Sequence, residues 1–434
     1  MCHNNVMRGN FDLLATNPLR KDALKIIEAG LEGIDTAQAV NATVQIDKDN
    51  VIVSGEKFAL QSDTRVIVIG VGKCSFQAAE KLENILGDRL TTGLVIGIDD
   101  KLPATKKITA ILGSHPHPTE GNIAATEKMV SLLHDLREND LVIVLVSGGG
   151  STLLCMPESH SCVEEGMILN TLTKAGATIQ EINTLRKHMS LARGGFLARH
   201  AYPARVVGLI FSDVIGNDLQ FIASGPTVKD ETSVEQAEKI LEKYDILQSC
   251  RIDHCGLIET PKEDRYFANA KNLLLVTNNN ALKKMAETAA ELGYRSEICD
   301  SCLTGEASKL GAQIATDLHD SSPKTARLYG GETTVTIKGP GKGGRNQELA
   351  LGALSKIREG EIIVAINSDG WDNTSAAGAL ADTDLAEQVV KKKLNIENFL
   401  RSNNSFEFFA KTNSHLITGH TGSNISDLVL ALKG

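Results

Sequence analysis

Several features are missing from this chain of 434 residues, and each absence removes a class of function. No apolar run approaches the roughly 20 residues that span a membrane. Positive charge is not in excess, since 45 Lys and Arg face 54 Asp and Glu for a net charge of −9. That balance argues against nucleic acid or an anionic membrane as partner, yet leaves room for a small anionic substrate held by local basic loops. The opening MCHNNVMRGNFDLL has neither the apolar core of a signal peptide nor the Arg/Ser pattern of a transit peptide, so a soluble cytoplasmic protein is expected.

A disulfide framework is also missing, because 8 scattered cysteines do not make one in a chain this long. Cys299 and Cys302 have a zinc-knuckle spacing, but neither Cys250/Cys255 nor a histidine pattern completes a site, and reduced thiols are expected. Cys74 follows Lys73 at an apparent helix start, where a thiolate is favoured and oxidation sensitivity follows. There is no Walker A loop: GVGKCS (70–75) lacks the G-x-x-x-x-G-K-[ST] spacing. A nucleotide would have to be held another way.

What is present is most informative at LVIVLVSGGGSTLL (141–154), a buried apolar strand running into a glycine turn. Ser147, Gly148, Gly149, Gly150 and Ser151 let backbone approach a ligand and offer N–H groups to phosphate or carboxylate. The competing reading is a tight turn that serves packing alone. Around it runs a rhythm of strand, turn and helix: RVIVIGVGK (65–73), TTGLVIGID (91–99), KITAILGS (107–114) and ARVVGLIFSDV (204–214), with helices near 17–40, 74–86, 121–137 and 163–177. Continuous rather than alternating apolar runs indicate strands covered on both faces, hence a mostly parallel sheet flanked by helices.

A chain this long exceeds one core, and two α/β domains are expected. The boundary falls near 230, giving 1–230 as a Rossmann-like domain and 231–434 as a smaller α/β domain whose last segment is free to pack back on the first. In the second part, NLLLVTNNN, RLYGGE, EIIVAINSDG and HLITGHTGSN supply strands. TTVTIK (333–338) alternates close behind RLYGGE, which suggests a hairpin in a mixed sheet.

Ligands of a parallel sheet bind at the carboxyl ends of its strands, and the unusual polar residues collect there. Lys73 ends one strand and suits a transferring phosphate as a point charge, unless it is a plain surface lysine. KGPGKGGRNQELALGAL (338–354) reads as a phosphate-wrapping loop carrying Lys342, Gly343, Gly344, Arg345 and Asn346, with Arg345 able to grip oxygens bidentately. Gly339, Gly341 and Gly344 also satisfy a dinucleotide fingerprint, but two basic side chains favour phosphoryl transfer over NAD. EINTLRKHMSLARGGFLARH (181–200) offers Asn183 and Arg186 as anion ligands, against the alternative of a solvated basic face. His188 lacks an evident carboxylate partner and is not taken as a base. Asp213, Glu332 and Asp369 are candidates to anchor Mg²⁺ or to take a proton, with helix or turn capping the alternative for Asp213.

Taken in order, GVGK (70–73), VSGGGSTLL (146–154), EINTLRKHMS (181–190) followed by GG, SDVIGN (212–217), IASGPT (222–227), GGETTV (330–335), GKGGRNQELAL (341–351), SDG (368–370) and TGSN (421–424) resemble the MOFRL-type D-glycerate 2-kinases, or class II glycerate kinases. The resemblance covers nearly the whole chain. It implies ATP- and Mg²⁺-dependent phosphorylation of D-glycerate at the 2-hydroxyl, an interdomain cleft, and functional roles for Lys73 and Arg345. Departures occur at 372–375, where Asn373 to Ser375 replace a pattern with a second aspartate, at His420 for proline, and at Thr119 for aspartate. The rival readings are an NAD(P)-dependent hydroxypyruvate reductase and a non-catalytic hydroxy-acid binding protein. No nucleic-acid or membrane partner is expected, and the chain is read as a monomer or homodimer.

Overall fold

The computed structural model describes residues 9–253 and 255–434, so Cys2 and most of the opening segment lie outside the described residues. The chain divides into two compact units, Thr36–Val276 and a second that joins the segment up to Asp35 to Thr277–Gly434. Among the described residues, no helix is long and apolar enough to cross a membrane.

In the first unit, β1 (Val44–Ile46), β2 (Asn50–Val53) and β3 (Glu56–Ala59) make a small antiparallel sheet. The main sheet comprises β4 (Val66–Val71), β5 (Thr92–Gly97), β6 (Ile108–Leu112), β7 (Leu141–Val146), β8 (Arg205–Phe211) and β9 (Ala270–Val276). All its pairings are parallel, in the order β6-β5-β4-β7-β8-β9. Every residue of β4 and β7 is buried, which is why their sequences are unbroken apolar runs. Ile67, Ile69, Val71, Val142, Val144 and Val146 share one face with Met129 and Leu197 from flanking helices. The chain builds outward from β4 to one edge, then returns to place β7 on β4's other side. This order is that of a doubly wound dinucleotide-type sheet, and its switch point lies between β4 and β7.

The second unit holds β10 (Arg295–Leu303), β11 (Thr325–Gly331), β12 (Glu361–Asn367), β13 (Gly378–Asp382), β14 (His415–Leu416) and β15 (Asp427–Lys433). Their order is β10-β11-β15-β12-β13-β14, parallel only between β10 and β11. Helices Ala307–His319 and Arg345–Leu354 pack so closely that a Cβ on Gly311 would lie 1.9 Å from Leu349 O.

Four organisational expectations are corrected. The sheet of the first unit extends past 230, because β9 pairs with β8, while Ala237 and Leu241 pack on Ile182 and Leu185. The helix Pro18–Glu32 belongs to the second unit: Arg20 makes a bidentate bond to Asp382, and Tyr294 donates to Asp22 at 2.8 Å. The C-terminal strand β15 sits inside its own mixed sheet. TTVTIK is no hairpin strand either. Apart from one bridge between Glu306 and Thr334 it is irregular, held where Thr336 donates to the Glu306 carboxylate and Thr334 N–H to Gly305 O.

Candidate active site

At the switch point of the first unit, the turns after β4 and β7 are laced together. Lys73 N–H donates to Gly148 O at 2.9 Å, and Cys74 N–H to Ser147 Oγ at 3.0 Å. A Cβ on Gly72, at φ +111°, would fall 2.3 Å from that same Oγ. Ser147 is therefore buried mortar between two loops, and its hydroxyl faces no ligand. Cys74 is 1% exposed, so the expected oxidation sensitivity has no access route.

Gly149 takes up the left-handed region at φ +81°, and a Cβ there would lie 3.4 Å from His115 Nε2 and 3.7 Å from Lys73 Cγ. The glycine is thus where an imidazole and a lysine converge. Gly150 starts the short helix Gly150–Leu153 and packs on Ala223, while Ser151 Oγ lies 2.8 Å from Ser224 Oγ. Ala223, Ser224 and Gly225 all have positive φ, near +50° to +59°, a strained run at the end of the β8 connection. It is held by Gly194 N–H and Gly195 N–H, which donate to Ser224 O and Gly225 O.

The basic segment 181–200 is not a solvated face. Lys187 pairs with Asp230, His188 Nδ1 meets Ile258 O at 2.8 Å, and its Nε2 meets Thr232 Oγ1 at 3.1 Å. Asn183 donates to Gln220 O at 2.9 Å, which engages its amide internally. Arg193 is fully buried, bonded to Glu165 at 2.7 Å and donating to Arg186 O at 3.0 Å. Arg186 differs. Half-buried, its guanidinium makes no hydrogen bond or ion pair among the described residues. Burial, then the charge of Arg193, holds it below the usual arginine range. His115 is held below the ordinary histidine value, first by desolvation and then by the charges of Lys73 and Arg186, although part of its surface is open to solvent. Lys73 and Arg186 thus both bear on His115 as positive charges, and Glu165, the acid whose charge reaches Arg186, already serves Arg193.

In the second unit Arg345 is gripped by Asp427 Oδ2 at 2.6 Å and Glu332 Oε1 at 2.7 Å. Burial disfavours its cation, but Asp427, Glu332 and Asp372 more than offset this. Asp427 is buried deeply enough to raise its carboxyl to about 6 despite Arg345 and the Asn346 amide. Asp372 accepts from Asn346 N–H at 3.1 Å and Gln347 N–H at 2.9 Å, so the N-terminus of Arg345–Leu354 already carries an internal anion.

The loop before that helix is spoken for as well. Lys338 and Gly339 N–H donate to Asn403 Oδ1, Gly341 N–H to Ser402 O, and Lys342 N–H to Asn404 Oδ1. A Cβ on Gly339 or Gly341 would strike Ser402, and one on Gly344 would strike Asp372. These glycines exist for packing, so the dinucleotide fingerprint is a coincidence of spacing. The N–H groups of Lys338, Gly339, Gly341 and Lys342 are thus engaged internally, and the exposed Lys342 side chain and Arg345 carry charge at the end of the loop. Gly343 O accepts from Asn373 at 2.9 Å.

Among the described residues, no three His, Cys, Asp or Glu side chains gather as a metal cage. Glu332 is engaged by Arg345, Asp369 accepts from Trp371 N–H at 2.9 Å, and Asp213 is half-buried just after β8. Mg²⁺ needs no such cage, because it takes one or two carboxylates and fills its remaining positions with water and phosphate oxygens. Cys302 is exposed, and Cys299 Sγ accepts from Arg327 at 3.2 Å.

Sequence reasoning missed His115, Glu165, Asp372 and Asp427. His115 stands in HPHPTEG, a proline-bounded turn at a strand's carboxyl end, and that position was its only signal.

The chain is similar to several known proteins. Residues 22–254 match a domain of unknown function, DUF4147, and residues 325–427 match the MOFRL family. A glycerate 2-kinase of Pyrococcus horikoshii is 37% identical, over 95% of this chain and 97% of that protein. A D-glycerate 2-kinase of Thermotoga maritima is 35% identical, over 95% and 98%. The crystal structure of a Thermotoga maritima glycerate kinase superposes with a TM-score of 0.82 at 32% identity, covering 95% of this chain and 99% of that one. With a parallel-sheet unit, a mixed-sheet unit and relatives matched end to end, the chain belongs to the MOFRL-type glycerate 2-kinase family.

Proposed function

We propose that the protein transfers the γ-phosphoryl group of ATP to the 2-hydroxyl of D-glycerate, giving 2-phosphoglycerate and ADP. The observation that carries this reading is that Lys73 and Arg186 both bear on His115 as positive charges, while Arg186 has no carboxylate of its own among the described residues. A cation left half-buried is costly unless a ligand supplies the missing charge. The glycerate carboxylate supplies it, and the planar guanidinium matches its two oxygens. Lys73, on the turn that the Ser147 hydroxyl braces, stabilises charge on the transferring phosphoryl group. Arg345, fixed by Asp427 and Glu332, is a rigid guanidinium donor suited to phosphate oxygens. Gly148, Gly149 and Ser151 can offer backbone N–H groups to the phosphoryl charge, whereas Gly150 N–H already donates to Ser147 O at 3.2 Å.

Mg²⁺, when bound by Asp213 or Asp369 together with the phosphates, neutralises phosphate oxygens and orients the chain of the donor. The reaction must exclude water, since phosphoryl transfer to solvent would waste the donor. The substrates are small molecules, no nucleic acid takes part, and the enzyme works in the cytoplasm as a monomer or homodimer.

The test is ADP release from Mg·ATP. Release that requires D-glycerate supports the reading, whereas NADH-dependent reduction of hydroxypyruvate without any ADP would replace it with the reductase. The fingerprint glycines on which the reductase depended are engaged in packing against Ser402 and Asp372.

A further inference from the structure

The reaction needs a group to take the hydroxyl proton, and none of the buried acids of the first unit is open for it. Glu165 is bound to Arg193, and Asp230 holds Lys187, Thr232 and Thr260. Asp140 is bound to Arg65 and Arg137. His115 is different in every respect. Its ring lies over Gly149, 3.4 Å from where a Cβ would stand, in the same place that Lys73 approaches. The imidazole makes no hydrogen bond among the described residues and is reachable from solvent.

We propose that His115 is the general base of the reaction, taking the proton from the substrate hydroxyl at an imidazole nitrogen. The inference rests on the kinase reading above. In the step, the hydroxyl O–H bond breaks and its proton passes to His115. The oxygen forms a bond to the γ-phosphorus, and the bond from that phosphorus to the β,γ-bridging oxygen breaks, releasing ADP. His115 then returns the proton to water.

The surrounding charges give this residue its proton affinity in the right order. Desolvation first, then the charges of Lys73, Arg186 and His117, disfavour the imidazolium, which favours the neutral, proton-accepting ring. Once the substrate carboxylate lies on Arg186, negative charge is added beside the ring and the imidazolium is tolerated. The base is thus strengthened by the ligands it serves.

The experiment compares His115→Ala and His115→Gln with the wild type, using D-glycerate and Mg·ATP with and without added imidazole. Both variants are expected to lose about 100-fold or more in kcat, the range for a lost general base, while KM for D-glycerate changes by less than about threefold. Imidazole is expected to restore part of the kcat of His115→Ala, because the vacated position opens to solvent. Gln can replace the polar bulk of the ring but cannot take a proton. Wild-type kcat in either variant overturns the proposal, and so does a loss that imidazole leaves untouched or that falls on KM instead. A wild-type enzyme that does not phosphorylate D-glycerate overturns the kinase reading, and the role of His115 with it.

Discussion

Arg186 and Arg193 lie seven positions apart in one basic segment, with Arg193 donating to the Arg186 carbonyl, yet only Arg193 has a carboxylate. Substitutions at the two should therefore move stability in opposite senses. Arg193→Met strands Glu165 as an unpaired buried anion and is expected to destabilise by about 3–5 kcal/mol. Arg186→Met removes an uncompensated cation and is expected to leave the unfolding midpoint unchanged or higher. The same variant should raise KM for D-glycerate by about 10-fold or more. Denaturant titration and steady-state kinetics on both variants check this.

Lys73→Ala and Arg345→Ala are each expected to lower kcat by at least ~100-fold, the scale for loss of one preorganised charge contact. Single-turnover ADP formation separates this from slow product release. Turnover near wild type in either variant would remove that residue from the chemistry.

Asp427 gives a pH signature to the second unit. Its folded carboxyl titrates at about 6, above an unfolded value near 3.9. The folded state therefore binds the extra proton between those values. This contribution to stability is fully present below about pH 4 and is lost as the pH rises through about 6, in total on the order of 3 kcal/mol. Asp427→Asn should abolish that slope, seen as the difference between wild-type and variant unfolding midpoints across pH 4–7.

The Arg20–Asp382 pair fastens the N-terminal helix to the second unit, and both side chains are 5% exposed. Asp382 also accepts from Leu385 N–H at 3.0 Å, capping the helix Thr383–Lys391. Asp382→Ala is expected to destabilise by about 3–5 kcal/mol, because it leaves a buried guanidinium without its anion. Thermal unfolding of the variant is the measurement.

The parallel sheet was legible because burial on both faces writes itself as runs such as LVIVLV and VIVIGV. Its carboxyl-end turns, and so Lys73 and Gly149, could be placed from those runs. Unit membership was not legible. The helix Pro18–Glu32 has an ordinary apolar face, and distant partners such as Asp382, Tyr294 and Met285 reveal which unit it joins. Short DLVLALK at the chain's end gave little sign that β15 would be paired on both sides. At the site, glycine count misled. The glycines at 339, 341 and 344 and those at 148–150 look alike in sequence, but the first set packs against Ser402, Asn404 and Asp372. Which acids neutralise which bases depends on distant partners, as with Arg345 and Asp427, 82 residues apart.

The most direct test of the central claim is phosphorus NMR of the protein with D-glycerate, ATP and Mg²⁺. A 2-phosphoglycerate resonance rising in step with ADP is the expected result. Absence of any phosphorylated glycerate would contradict the kinase function, and a 3-phosphoglycerate resonance would contradict the site of transfer.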